Sequence, residues 1–353
     1  MHINNHSTSI SIGKAIAIIL MVVGHSGCPE PLRAWIYTFH MPFFFFVSGY
    51  CFNEKYLDAP QSFIKKRMKS LWLPFVKWEI LFLLLHNLFY RCHFYEQCYS
   101  YKEMVKRFFQ YLYMFGSEQL LGGFWFLRQL LLASILGWIV IKAAQTLRKR
   151  FPSLDYKMLC FMGGGILLIF TTLSYKHNLR IPFLMNKLSF LSALFYMSGY
   201  IFKLYSPKIS QWLLPVLFMI TTIGSVMCPV SMLDMKIQWL LPYIAIALTG
   251  CIMVFIMSDI ISHTPLSILG NYVGTHTLTI LTWHFLMFKF ISIIIIVINK
   301  MDINLLSAFP VIEQEAHKGW WIAYAIVGIS FPLYMANKKE NYQSKTVNKN
   351  STH

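Results

Sequence analysis

Apolar runs long enough to cross a lipid bilayer recur along this chain from its first residues to about residue 336. About 20 apolar residues in a helix span a hydrocarbon core of about 30 Å. None of the runs shows the period-2 alternation of a membrane β-barrel, and in lipid only a helix satisfies its own backbone groups within one segment. The pattern predicts spans near residues 10–27, 33–54, 71–90, 124–145, 158–175, 188–204, 212–229, 239–257, 275–298 and 320–336. The expected fold is an all-α, polytopic transmembrane helix bundle of about ten spans.

Composition strengthens that reading. Of 353 residues, 56% are hydrophobic and 13% are charged, which is too apolar for a soluble chain of this size. An even number of spans puts both termini on one side. The larger share of the 31 Lys and Arg falls on that side, in the short stretches around Lys55 and Lys65–Lys69, around Lys142 and Arg148–Lys157, at Lys203 and Lys208, and in the tail. Positive charge concentrates on the cytoplasmic side, so the expected topology is N-in, C-in. The net charge of +17 is spread over loops and tail with no basic domain to present it. Orientation and anionic lipid headgroups account for it, and nucleic acid is excluded as a partner. Residues 1–336 form the expected membrane domain, and 337–353 a basic, disordered cytoplasmic tail. The first run has no small-residue cleavage site and reads as a retained helix. The outer loop 91–123 contains KEMVKRFFQYLYMF, which is either an interfacial amphipathic helix or the leading edge of the next span. Cys92 and Cys98 share that loop, either as a disulfide in an oxidising compartment or as unpaired thiols.

Ionisable residues inside apolar runs are expensive and usually face a protein-lined cavity, so they mark candidate chemistry. Residues 12–27 read IGKAIAIILMVVGHSG and residues 35–50 read WIYTFHMPFFFFVSGY. Lys14 and His25 are eleven positions apart, about three helical turns or roughly 16 Å, and so share nearly one face. His40 lies in the outer part of the second run beside Pro42, which bends a helix and can open a cavity. A neutral imidazole is a ready general base for an alcohol. Lys14 is either a cation at the inner mouth of a tunnel or a snorkelling lysine. Lys66, Arg67 and Lys69 either hold phosphates or fix topology. Ser48-Gly49-Tyr50 recurs as Ser198-Gly199-Tyr200, which favours close helix approach. Trp125 and Arg128 open the fourth run, and His284 sits in the inner half of the ninth. His86 and Asp259 read as structural or interfacial. There is no zinc spacing, phosphate loop, dinucleotide fingerprint or nucleophile elbow.

On these residues the chain resembles the acyltransferase-3 family of bacterial integral membrane O-acyltransferases. The resemblance rests on Lys14 to His25, then FHMPFFFFVSGY (39–50), FWFLRQLL (124–131) and LGNYVGTHTLTILTWH (269–284), and it extends from about residue 8 to 335. Two positions depart from the family pattern: Lys14 stands where the family has arginine, and Ser70 where an inner-loop R-x-x-R ends. Lysine keeps the charge and loses the bidentate fork. The soluble SGNH esterase-like domain fused to some members is absent from the sequence.

The resemblance implies a multi-pass protein of the bacterial inner membrane that moves an acyl group, in the simplest case acetyl, from cytoplasmic acyl-CoA to a hydroxyl of a cell-surface glycan or its lipid-linked precursor. Acyl-CoA would be a co-substrate, with no permanently bound cofactor and no metal. Lys14, Lys66, Arg67 and Lys69 would hold the donor. His25 would be general base or transient acyl carrier, and His40 would orient it or donate a hydrogen bond to the oxyanion. Ser48, Tyr50, Trp125, Arg128 and His284 would support them. A glycan-lipid transporter or flippase with histidines lining its path is the alternative, and a non-catalytic partner is a third reading.

Overall fold

The computed structural model describes residues 2–179 and 185–350, with side chains over 7–179 and 185–342. The chain is all-α. Helix α1 (His2–His25) is stopped by Gly27, whose φ of +77° is a left-handed conformation that suits glycine. Next come α2 (Glu30–Tyr50) and α3 (Pro60–Arg67), which passes through a π-helical turn (Met68–Trp72) into α4 (Leu73–Arg91). Helix α5 (Tyr101–Leu112) is capped by Ser100, whose hydroxyl accepts from the Glu103 amide. Residues 113–124 separate it from α6 (Trp125–Arg150), so 101–112 is a helix of its own rather than the start of the fourth run.

Helix α7 (Tyr156–His177) is capped by Asp155, and α8 (Lys187–Tyr205) opens on a capping box made by Asn186 and Ser189. Then follow α9 (Leu214–Met227), α10 (Leu240–Ser262), α11 (Leu266–Thr275), α12 (Thr277–Asn299) and α13 (Trp321–Asn350). Each of the ten predicted spans falls on one of these helices. Helix α13 carries through residue 336, where the sequence reading ended its last span.

Among the described residues, six helical stretches are long and apolar enough to cross a membrane: Ser7–His25, Gln119–Arg150, Tyr156–His177, Ile237–Ser262, Thr277–Asn299 and Glu313–Tyr342. Helices α2, α4 and α8 are not among them. Glu30 and Arg33, Lys77 and Glu79, and Lys187 and Lys203 lie in these helices together with Tyr, Ser and Trp, which lowers their hydropathy. The count of ten and the N-in, C-in orientation therefore remain expectations of the sequence.

The chain divides into two compact units. Unit 1 comprises Met1–Arg33, Trp78–Phe124 and Ile261–His353, and unit 2 comprises Ala34–Lys77 and Trp125–Ile260.

In unit 1, α1 packs along α11, α12 and α13. Gly274 lies so close to the Ser11 carbonyl that a Cβ would come within 1.8 Å of its oxygen, so only glycine permits the contact. The apolar pattern predicts a span over 275–298, with His284 in its inner half. Helix α11 occupies the stretch beside Ser11, the chain turns at His276, and α12 starts only beyond that level. The segment after α4 folds back on that helix. Asn87 receives the Tyr99 amide at 2.8 Å and donates to its carbonyl at 2.9 Å. Buried Glu118 accepts from Tyr111 at 2.9 Å and lies 2.7 Å from His86, while its amide donates to buried Glu79 at 2.8 Å. His86 is thus structural. Burial and the nearby Glu118 carboxylate push the Tyr99 hydroxyl up to about 12. Cys92 and Cys98 are free thiols.

In unit 2, α6 packs on α7 and α8, and α7 on α8. The repeated Ser-Gly-Tyr segments meet reciprocally: a Cβ on Gly49 would come 1.8 Å from the Tyr196 carbonyl oxygen, and one on Gly199 1.8 Å from that of Phe46. Small residues let two backbones touch in this way. Helices α7 and α9 turn apolar side chains outward, among them Phe161, Ile169, Phe218, Ile223 and Val226. In water such faces would be unstable patches; against lipid tails they are solvated. At one end, Lys142 and Lys149 approach Asp58 at 3.2 and 3.9 Å and hold its carboxyl below the ordinary 3.8.

Candidate functional site

The structure brings together two of the histidines that the sequence singled out. His25, in the last turn of α1 and partly exposed, stacks on fully buried His284 of α12, with ring centroids 5.6 Å apart and planes at 28°. Phe285 touches both rings, at 5.0 and 3.9 Å. The sequence reading assigned the two histidines to opposite membrane halves. The stacked rings overturn that assignment: α11 packs beside Ser11, so α12 begins partway along α1 and His284 meets His25 at the end of that helix.

His284 has a defined tautomer. Its Nδ1 lies 3.1 Å from the Ile280 carbonyl and 3.0 Å from that of Leu281. A carbonyl only accepts, so Nδ1 carries the hydrogen and the neutral ring keeps its lone pair on Nε2. That Nε2 is buried without a hydrogen-bond partner. An unsatisfied buried acceptor costs stability and calls for an explanation. A lone pair held ready for a proton beside a second imidazole is a chemically useful one.

Lys14 lies partly buried on α1, three residues beyond the Ser11–Gly274 contact. Lys289 of α12 is fully buried and donates to the Leu306 and Ala308 carbonyls, both at 2.7 Å. Its signal in the sequence was a cation in the middle of ILTWHFLMFKFISIII, which lipid does not tolerate unpartnered.

The remaining predicted residues lie in unit 2. His40 is buried on α2, with Nδ1 2.8 Å from the Ile36 carbonyl and its ring 5.2 Å from that of Tyr37. By the same reasoning its neutral form presents a lone pair at Nε2. The expected hydrogen-bond donation to an oxyanion from that nitrogen therefore requires the imidazolium. Ser48 and Tyr50 flank the Gly49 contact, and the Tyr50 ring packs on Phe255 at 5.2 Å and Phe202 at 6.1 Å.

The cations at the junction of α3 and α4 are not equivalent. Arg67 turns inward, donating to the Tyr196 hydroxyl at 3.4 Å with its guanidinium over Phe63 at 5.3 Å. Lys66 and Lys69 are exposed. Lys66 lies over the Tyr56 ring at 5.2 Å, and its hydrogen bond to that phenol lowers the Tyr56 hydroxyl from its ordinary value. Lys69 sits in the π-helical turn, a feature often found at functional positions. Trp125 and Arg128 are partly buried in the first turn of α6. Glu54 and Tyr156, which the sequence reading passed over, form with Tyr200 a chain of hydrogen bonds of 2.8 Å toward the end of α8.

Among the described residues, no three His, Cys, Asp or Glu side chains gather in a way that could hold a metal ion. No curated protein and no solved structure matches the chain. A family model described as an acyltransferase domain, acyltransferase 3, matches residues 7–336, which is nearly the whole length. The helices, the apolar runs and this match agree, and the chain belongs to the acyltransferase 3 family of membrane acyltransferases.

Proposed function

We propose that this protein transfers an acyl group, in the simplest case acetyl, from cytoplasmic acyl-CoA to a hydroxyl of a cell-surface glycan or its lipid-linked precursor in the bacterial inner membrane. The observation that carries this reading is the His25–His284 stack with an unpartnered Nε2 on His284. His25 takes the proton of the acceptor hydroxyl, the alkoxide oxygen bonds to the thioester carbon, and the C–S bond breaks. The CoA thiolate then leaves and takes up the proton as the thiol. If the acyl group first passes to an imidazole nitrogen, the same atoms move in two steps.

His284 accepts the proton from His25 or keeps its ring neutral. In unit 1 Lys14 is a candidate for a donor phosphate, and in unit 2 exposed Lys66 and Lys69 are others. Arg67 is better explained as a packing residue, given its contacts with Tyr196 and Phe63. His40 remains a candidate base or proton carrier.

The test is transfer of label from radiolabelled acetyl-CoA into extractable glycan, in membranes carrying matched amounts of wild type or His25→Ala. Label should appear with wild type and fall by about 10²-fold or more in the variant, as for loss of a general base. If wild type moves glycan lipid across the membrane without consuming acyl-CoA, the protein is a transporter instead.

A further inference from the structure

Unit 1 contains a cleft of about 460 Å³ outside the histidine pair, lined by Tyr90, Arg91, His93, Tyr95, Glu96, Asn304 and Ser307. Its volume is that of a small-ligand site. One wall is the end of α4 and the turn after it; the other is the short helical turn Ile303–Ser307.

Both walls are held from beneath. Lys289 grips the second wall through the Leu306 and Ala308 carbonyls, and Glu96 of the first wall attracts the same ammonium. Tyr95 is buried, with its hydroxyl accepting from the Leu120 amide. At the end of α4 the Phe94 amide bonds the Phe89 carbonyl and the His93 amide bonds that of Tyr90. That is a Schellman cap, and its left-handed position is normally glycine. Here it is His93, with φ +59°, exposed to the cleft. An unfavourable backbone angle retained with a polar side chain points to a use for that side chain.

Two aromatic rings connect the cleft wall to the histidine pair. Its second wall runs on to Phe309, whose ring lies 4.7 Å from that of Phe285, which in turn touches His25 and His284. Ser307 and Phe309 are two residues apart, so their Cα atoms are separated by at most about 7 Å.

The lining selects a class of ligand. Arg91 and Glu96 are of opposite sign, so an anion as charged as CoA is not favoured. Arg91, Glu96, Asn304 and Ser307 supply donors and acceptors side by side, which suits vicinal hydroxyls. Tyr90 is 41% exposed and offers an apolar ring face. Below it Leu84 and Leu88 are exposed on α4, placing the cleft where an apolar helix surface gives way to water.

We propose that this cleft is the acceptor subsite and holds a hydroxyl-rich, weakly charged sugar with one hydroxyl directed at His25. The proposal rests on the acyl-transfer reading. Its test uses the full chain in lipid nanodiscs, labelled acetyl-CoA, and two acceptor preparations from the producing cells: lipid-linked oligosaccharide and detached polysaccharide. Arg91→Ala and Asn304→Ala, each at an exposed position, should raise the KM for the acceptor about fivefold or more, as expected for one lost hydrogen bond. The KM for acetyl-CoA should stay unchanged in both, which also reports that the variants are folded. The preparation that wild type uses distinguishes a lipid-linked from a free glycan. Wild-type transfer with unaltered acceptor KM in both variants overturns the subsite alone, as does a rise confined to acetyl-CoA. Absence of wild-type transfer to either preparation overturns the acyl-transfer reading and the subsite with it.

Discussion

The two units differ in the charge they bury: among the described residues, unit 1 buries carboxylates and an ammonium, whereas of the His, Lys, Arg, Asp and Glu side chains of unit 2 only His40 is buried. Unit 2 is held by surface fit: Gly49 against Tyr196, Gly199 against Phe46, and the aromatic rings of Tyr50, Phe202 and Phe255. Its ion pairs at Asp58 are exposed. Unit 1 buries Glu79, Glu118, His86, His284 and Lys289. Most of these groups are satisfied by specific partners, while His284 Nε2 and Glu79 Oε1 have none. Packing alone makes a stable helix cluster. Groups kept in low dielectric at a cost are where proton transfer and ligand positioning are to be sought.

The comparison can be broken most sharply with one substitution per unit. His284→Gln should lower turnover about 10²-fold while melting changes little, since a proton-accepting group is lost from a shape that glutamine roughly fills. Gly199→Leu should do the reverse. With no room for even a Cβ it should cost several kcal/mol, about 3 or more, read as a fall in melting temperature and in membrane abundance. Gly165→Ala, with nothing within 4 Å of its Cβ, is the matched control and should be neutral or stabilising. Equal losses of stability in both glycine variants would refute the packing account.

Lys289→Met should be intermediate. It strands the Leu306 and Ala308 carbonyls, a cost of about 1–3 kcal/mol, and should speed hydrogen exchange in 303–308 more than in α12. Lys14→Ala should raise the KM for acyl-CoA, and Lys14→Arg should restore or improve it because guanidinium grips phosphate bidentately. No change in either would return Lys14 to a snorkelling role.

The smallest effect belongs to Asp58. Its folded pKa is depressed by Lys142 and Lys149, so its contribution is present above the unfolded value of 3.8 and is lost as pH falls through the folded one. Asp58→Asn should therefore leave the melting temperature between pH 5 and 8 close to that of wild type, as for exposed ion pairs generally.

Local pattern and composition determined that this chain is helical, apolar enough for a membrane, and of one family, because those signals survive reading one residue at a time. The placement of ten helices and the close approach at the two Ser-Gly-Tyr segments were legible for the same reason. Tertiary structure decided what depended on contact between distant segments. Helix α11 lies in the stretch before the predicted span at 275–298, and its packing on Ser11 through Gly274 is a tertiary contact. The meeting of His25 with His284 follows from that packing, as the inward turn of Arg67 follows from the position of Tyr196. Glu79, Glu118 and Lys289 were visible as charges, but partners 39 and 17 residues away along the chain decide whether such a charge is tolerated and what it holds.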